Sequence, residues 1–253
     1  MTHLSSLISR PARCLHRLAN LDLVIRGPAA VAKMSTSQRE TTFFLGNGDK
    51  LDKEGFLDRI ADSKAKVIML GENHEDSAAH QLELDILTKL NSTRSNKTGL
   101  SLEFYDRESQ TVLNEYLSGL LDVDTWLEYS RPPANYADYQ PLIDFCKINN
   151  LPALAANCPR RYTRMVSRNG KDYLNQLKNT RSATLLPPLP YSGASEAYTQ
   201  NFIDIMQKMG NTNPNVPTKM LDAQSLWDAT MAHSLAGFLD QELDYSNTRL
   251  DSS

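Results

Sequence analysis

The stretch that decides the fold lies at residues 67–74, with the sequence Val67-Ile68-Met69-Leu70-Gly71-Glu72-Asn73-His74. Four consecutive apolar residues before a glycine predict a strand that is buried on both faces, as parallel strands are. Glu72 and His74 follow this strand directly, and the pattern beyond them predicts a helix from about Glu75 to Asn91. Because ligands of α/β sheets bind beyond the carboxyl ends of the strands, we expect a site at this edge.

Two further segments place polar residues in or after an apolar strand. Residues 98–105 predict a second strand, in which Glu103 lies between two apolar neighbours, where a carboxylate without partners is unfavourable. Residues 151–156 predict a third strand, and Asn157 and Arg160 follow it. The alternative interpretations are an outward-facing Glu103, an Asn157 in a turn and a solvated Arg160. The recurrence of the pattern favours a shared site.

Helical patterns surround these strands, and the last of them predicts a helix from about Thr218 to Gln241 with Asp228 near the edge of its apolar face. The alternation predicts the α/β class, with a largely parallel central sheet flanked by helices and a helical insertion and C-terminal helical part. We expect a single domain over residues 41–241. Residues 1–40 are then a targeting segment or disordered tail, and residues 242–253 a disordered tail.

Composition excludes several classes of protein. The chain of 253 residues is 40% hydrophobic and 23% charged, which is ordinary for a soluble globular protein. A net charge of -3 gives no support for a nucleic-acid partner. Three cysteines without C-x-x-C spacing argue against a disulfide framework and a structural zinc site. No apolar run approaches the roughly 18 residues of a transmembrane segment.

The first 33 residues differ from the rest, because they contain five basic residues and several serines but a single acid, Asp22. This composition is typical of an organellar transit peptide. We therefore expect an organellar protein, in a mitochondrion rather than a plastid, with a plain disordered tail as the alternative. Translation from Met34 would instead give a cytosolic protein.

The candidate residues suit two kinds of chemistry. They are Glu72, His74, Glu103, Asn157, Arg160 and Asp228. Two carboxylates and an imidazole can bind a divalent metal or act as acid and base in hydrolysis, and an arginine suits a carboxylate or phosphate. Nucleotide binding and serine-hydrolase chemistry are unsupported, because the chain contains no P-loop, no G-x-G-x-x-G and no G-x-S-x-G.

Four blocks of the sequence resemble a known family. The blocks are VIMLGENHEDSAAHQ at 67–81, LEF at 102–104, AANCPRR at 155–161 and QSLWDATMA at 224–232. Together they resemble the ChaN-like haem-binding family, within the wider Tiki superfamily of haem-uptake proteins and hydrolases, over roughly residues 42–240. The resemblance implies an α/β fold with a pocket at the edge of a largely parallel sheet. It also implies that Glu72, His74, Glu103 and Arg160 occupy the polar motif positions of the family.

The sequence departs from that family at its C-terminal end. Family members usually continue past the D-A-T-M-A helix into a further strand with a G-x-x-H type motif, and no such strand is predicted here. We expect either a truncated product or a chain that has lost this part. The residue that would ligate haem iron stays open among five chemically suitable side chains. These are Tyr105, Tyr129, Tyr136, Tyr139 and His74.

The resemblance leads to hypotheses from different classes. The first is a haem-binding protein, with an organellar role in haem or iron handling. The second is a metal-dependent hydrolase, protease-like or esterase-like, in which Glu72, His74 and Glu103 serve catalysis and bind a divalent metal. The third is an inactive, truncated product. We expect a small-molecule ligand, haem or similar, as the partner, with a homodimer as an open option.

Overall fold

The computed structural model describes residues 23–24, 41–94, 98–208, 210 and 218–248, with the backbone alone for residues 23–24 and 241–248. The predicted targeting segment lies outside the described residues except for Leu23 and Val24, and residues 249–253 also lie outside them. The chain divides into two compact units, Met1–Thr98 with Ala137–Phe145, and Gly99–Tyr136 with Cys146–Ser253. The single domain expected over residues 41–241 stays a prediction.

The first unit combines a small antiparallel sheet with two helices. Its elements are β1 (Leu23–Val24), β2 (Phe43–Leu45), β3 (Lys50–Leu51), α1 (Lys53–Ala61) and α2 (Ser77–Thr93). Each helix begins at an aspartate, since the Asp52 side chain accepts from the backbone N–H of Gly55 and the Asp76 side chain from that of Ala78. Apolar side chains from β2, α1 and α2 form its core, which comprises Phe43, Phe56, Leu57, Ile60, Leu82, Ile86 and Leu90.

The predicted strand at residues 67–70 is wrong. Within the described residues 41–94, this stretch forms no strand, and its side chains are not buried on both faces. Ile68 packs against the core of the first unit, whereas Met69 and Leu70 are 59% and 40% exposed. The apolar run has the composition of a strand, but composition cannot supply the neighbouring strand whose backbone groups would pair with it.

The second unit contains the parallel strand pair that the sequence predicts. Its strands are β4 (Leu100–Asp106) and β5 (Ala153–Asn157), paired in register with Leu102 opposite Ala155. The chain between and after them forms α3 (Gln110–Leu117), α4 (Val123–Ser130), α5 (Tyr136–Ile148), α6 (Arg160–Asn169), α7 (Glu196–Lys208) and α8 (Thr218–Thr248). The small sheets, of which the one formed by β4 and β5 is parallel, are flanked by helices. This arrangement confirms the α/β class. Residues 137–145 of α5 belong to the first unit.

A side chain closes the outer edge of β5. The amide of Gln110 donates to the carbonyl of Ala153 at 3.0 Å and accepts from the N–H of Ala155 at 2.7 Å. Gln110 therefore satisfies, at this position, backbone groups that another strand would otherwise pair with.

Helix α8 starts at the predicted residue and runs on to Thr248, through residues that the sequence analysis assigned to a tail. Its inner face shares the core of the second unit, with Ala223 and Leu226 packed against Tyr162 and Val166 of α6. Among the residues described here, no helix combines the length and the hydropathy that crossing a membrane requires.

Candidate functional site

The first unit holds a cluster of ionisable side chains around one buried carboxylate, that of Glu72. His74 Nδ1 donates to Glu72 Oε1 at 2.7 Å, and the hydroxyl of Tyr139 donates to the same oxygen at 2.5 Å. His80 Nε2 lies 2.8 Å from Glu72 Oε2, although without the alignment of a hydrogen bond. The side chain of Glu83 also lies against Glu72. We call these five residues the Glu72 cluster.

The electrostatics of this cluster keep Glu72 ionised. Burial by itself would raise the pKa of Glu72, but the hydrogen bonds from His74 and Tyr139 and the nearby His80 outweigh burial and lower that pKa. Glu83 shows the opposite shift. Burial, followed by the negative charge of Glu72, raises the pKa of Glu83 to about 8. The two carboxyl groups therefore share one proton, which resides on Glu83 at neutral pH.

Two helices and one loop build the Glu72 cluster. Glu72 and His74 lie on the irregular segment before α2, and Asp76 ends that segment by capping the helix. His80 and Glu83 lie on the same side of α2 as the buried Leu87 and Leu90, because these positions are three or four residues apart. Tyr139 is 3% exposed, and its ring meets the His80 imidazole edge-on with centroids 4.7 Å apart.

The sequence by itself predicts part of this cluster. Glu72 and His74 are both predicted as site residues, and the structure shows a direct contact between them. Tyr139 was named only as one of five haem-ligand candidates, while His80 and Glu83 were not named. The sequence contains one indication that His80 and Glu83 face the core. They lie at helical spacing from Leu87 and Leu90, on the apolar side of α2.

The other four candidates belong to the second unit. Asn157, at the end of β5, donates to the backbone carbonyl of Glu103 at 2.8 Å and accepts from the N–H of Cys158. Asp228 on α8 accepts from the Tyr198 hydroxyl at 2.8 Å. Arg160 is the exposed first residue of α6. The shared edge expected for all six candidates stays a prediction.

The Glu72 cluster is better suited to orient one histidine as a ligand than to enclose a metal ion with several side chains. Among the described residues, no group of three or more His, Cys, Asp or Glu side chains has an arrangement that could hold a metal ion. The His74 imidazole, in contrast, donates Nδ1–H to a carboxylate, which directs the lone pair of Nε2 away from Glu72. Histidines that bind metals are usually oriented by such a carboxylate.

The fold and the site define an α/β protein whose buried carboxylate orients a histidine. The family model described as haem-binding uptake, Tiki superfamily, ChaN matches residues 59–247, and the chain belongs to this family. The chain is also 23% identical over 175 residues to Protein RETICULATA-RELATED 5, chloroplastic, of Arabidopsis thaliana. That match covers 64% of this chain and 23% of the relative, so the chain spans about a quarter of its length. No solved structure matches the chain.

Proposed function

We propose that this protein binds haem beside His74. A haem site needs an axial ligand, an apolar surface for the porphyrin and positive charge for the propionates. Exposed Met69 and Leu70 precede the Glu72 cluster and provide apolar surface, and exposed Lys64 and Lys66 lie close to them in sequence. The observation that carries the proposal is the contact between His74 Nδ1 and Glu72 Oε1, because it orients the imidazole as an iron ligand.

The surroundings of Tyr105, Tyr129 and Tyr139 favour His74 over these three tyrosines as the iron ligand. Tyr105 is 1% exposed, and burial raises its pKa to about 12, so that it stays a neutral phenol, which is a poor iron ligand. Tyr139 is buried and donates its hydroxyl proton to Glu72. Tyr129 is 60% exposed, outside any enclosing environment. His74 is partly exposed and is oriented.

Bound haem would supply an iron that accepts a nitrogen ligand, and residues of the chain would hold and orient that ligand. His74 would provide the ligand, Glu72 would hold its tautomer, and Tyr139 and His80 would hold Glu72. The carboxylate would also increase the basicity of the imidazole, which would strengthen the binding of His74 to iron.

A haem titration of the full chain, followed by visible absorption, tests this proposal. We expect a saturable shift of the Soret band, and a His74→Ala variant with at least about tenfold weaker affinity, roughly 1.4 kcal/mol. His233→Ala is the matched control, because it removes an exposed imidazole of the second unit. A titration without saturation, or equal affinity for His74→Ala and the wild type, would contradict the proposal. Metal analysis of the purified protein, together with a Glu103→Gln variant, tests the hydrolase alternative.

We also propose import into an organelle, on the strength of the basic, acid-poor first 33 residues. The relative described as chloroplastic makes the plastid a destination to test beside the mitochondrion. Fusion of residues 1–33 to a fluorescent reporter should direct it to one of these organelles, and a diffuse cytosolic signal would refute import.

A further inference from the structure

Helix α6 presents a row of arginines to solvent. Arg160, Arg164 and Arg168 follow one another at intervals of four residues, which places them along one side of the helix over roughly 12 Å. All three are exposed, whereas Tyr162 and Val166, on the other side of the helix, are buried in the core of the second unit. The packing of α6 thus fixes the direction in which the arginines point.

Among the described residues, no carboxylate forms an ion pair with Arg160, Arg164 or Arg168. Their neighbour Arg161 differs, because its Nη1 lies 2.5 Å from Glu108 Oε2. The positive charge of the row is therefore not neutralised within the part of the chain that the structure describes.

The surroundings of the row increase its charge. Residues 160–181 contain seven basic residues and one acid, whereas the whole chain has a net charge of -3, so the remainder of the chain has a net negative charge. Lys219, at the start of α8, donates to the backbone carbonyl of Arg168 at 2.8 Å and adds a further cation at the end of α6. Just beyond that end, Tyr173 is 45% exposed.

We propose that this face of α6 binds the surface of a bilayer that contains anionic phospholipids. A guanidinium group recognises phosphate through paired hydrogen bonds, and a straight row of three matches a planar array of headgroups better than a single ligand. Each arginine close to such a surface contributes about fivefold in partitioning, equivalent to about 1 kcal/mol. An exposed tyrosine next to the row is suited to the headgroup layer.

Charge distribution favours a bilayer over a free polyanion such as a nucleic acid. A planar surface presents its charge to one face of the protein, and charges farther from that surface than roughly 8 Å are largely screened at physiological ionic strength. Nucleic acids also gain affinity from aromatic groups interleaved with the basic ones, and Arg160, Arg164 and Arg168 are separated by no exposed aromatic side chain.

Sedimentation of the full chain with lipid vesicles tests the proposal. The probes are vesicles of phosphatidylcholine alone and vesicles with roughly one-third phosphatidylglycerol. The test variant is Arg164→Gln/Arg168→Gln, which leaves the candidate site residue Arg160 in place. The control is Arg59→Gln/Lys208→Gln, which removes two exposed cations elsewhere. All variants retain the basic N-terminal segment, so a difference in binding between the α6 variant and the control does not come from that segment.

We expect binding to the anionic vesicles only, weakened at least about tenfold by the α6 variant and less than about twofold by the control. Arg164→Lys/Arg168→Lys should retain most of the binding, because the charge is kept, and circular dichroism checks that each variant is folded. The proposal would be overturned if the α6 variant and the control weakened vesicle binding equally, or if the α6 variant bound the vesicles like the wild type. A duplex oligonucleotide that binds the wild type more tightly than the anionic vesicles do, at equal phosphate concentration, would also overturn it.

Discussion

Each of the two units contains a charged side chain with several partners. The partners of Arg107 are mainly backbone carbonyl groups, whereas those of Glu72 are ionisable side chains. Arg107, in the second unit, donates mainly to the backbone, reaching the carbonyls of Leu186 at 2.8 Å, Thr184 at 3.2 Å and Thr230 at 3.2 Å. It also donates to Ser234 Oγ and lies 2.7 Å from His233 Nδ1. Such an arrangement satisfies carbonyl groups and joins separate segments of the chain.

Glu72, in the first unit, is surrounded instead by side chains that can gain or lose a proton. Its neighbours are two imidazoles, a phenol and a second carboxyl group. Backbone partners fix a structure, while ionisable partners orient a ligand and respond to pH. The difference in partners supports a structural role for Arg107 and the binding role proposed for the Glu72 cluster, and three predictions test that division.

The largest effect expected from a single substitution at constant, neutral pH is on stability, at Arg107. Arg107→Met keeps much of the aliphatic stem but leaves the carbonyls of Thr184, Leu186 and Thr230 without this donor, and we expect a loss on the order of 3 kcal/mol in urea unfolding. Haem affinity should be unchanged while the variant is folded. Arg131→Met is the control, since this 72% exposed side chain makes a surface ion pair worth less than about 1 kcal/mol. Similar losses for the two variants would remove the structural assignment.

The next effect is a dependence of stability on pH, at Glu83. Its pKa is raised from 4.5 to about 8 in the folded chain, so between these values the folded state keeps a proton that the unfolded state has released. Stability should therefore fall as pH rises through this window, by at most about 1.4 kcal/mol per pH unit from this group. Glu83→Gln should flatten the profile, because the amide stays neutral, whereas the exposed Glu128→Gln should retain it. Identical profiles for the wild type and Glu83→Gln would refute the shared proton.

The sequence predicted much of the secondary structure for definite physical reasons. The start of α2 beside Asp76 follows from local capping, and the strands β4 and β5 follow from short apolar runs bounded by turn-forming residues. The prediction of a strand at residues 67–70 is wrong, because strand formation depends on a pairing partner that is distant in sequence. Whether Glu103 faces Glu72 and His74, as the sequence analysis expected, stays a prediction.

The candidate site was predictable only where its residues adjoin one another. Glu72 and His74 are two residues apart, and their contact follows from the local motif. Tyr139 comes from α5, far away in sequence, and only folding brings its hydroxyl to Glu72. The sequence around Glu83 on α2 is that of an ordinary helix. The raised pKa of Glu83 depends on burial, which the sequence alone does not reveal.

The central claim is that ionised Glu72 orients His74 for binding haem, and the haem affinity of Glu72→Gln tests it most directly. The amide keeps the size of the side chain but loses the charge that fixes the imidazole, so haem should bind about tenfold to a hundredfold more weakly. Glu75→Gln, which neutralises an exposed carboxylate three residues away, should bind like the wild type. Equal haem affinity for Glu72→Gln and the wild type, with both proteins folded, would contradict the account.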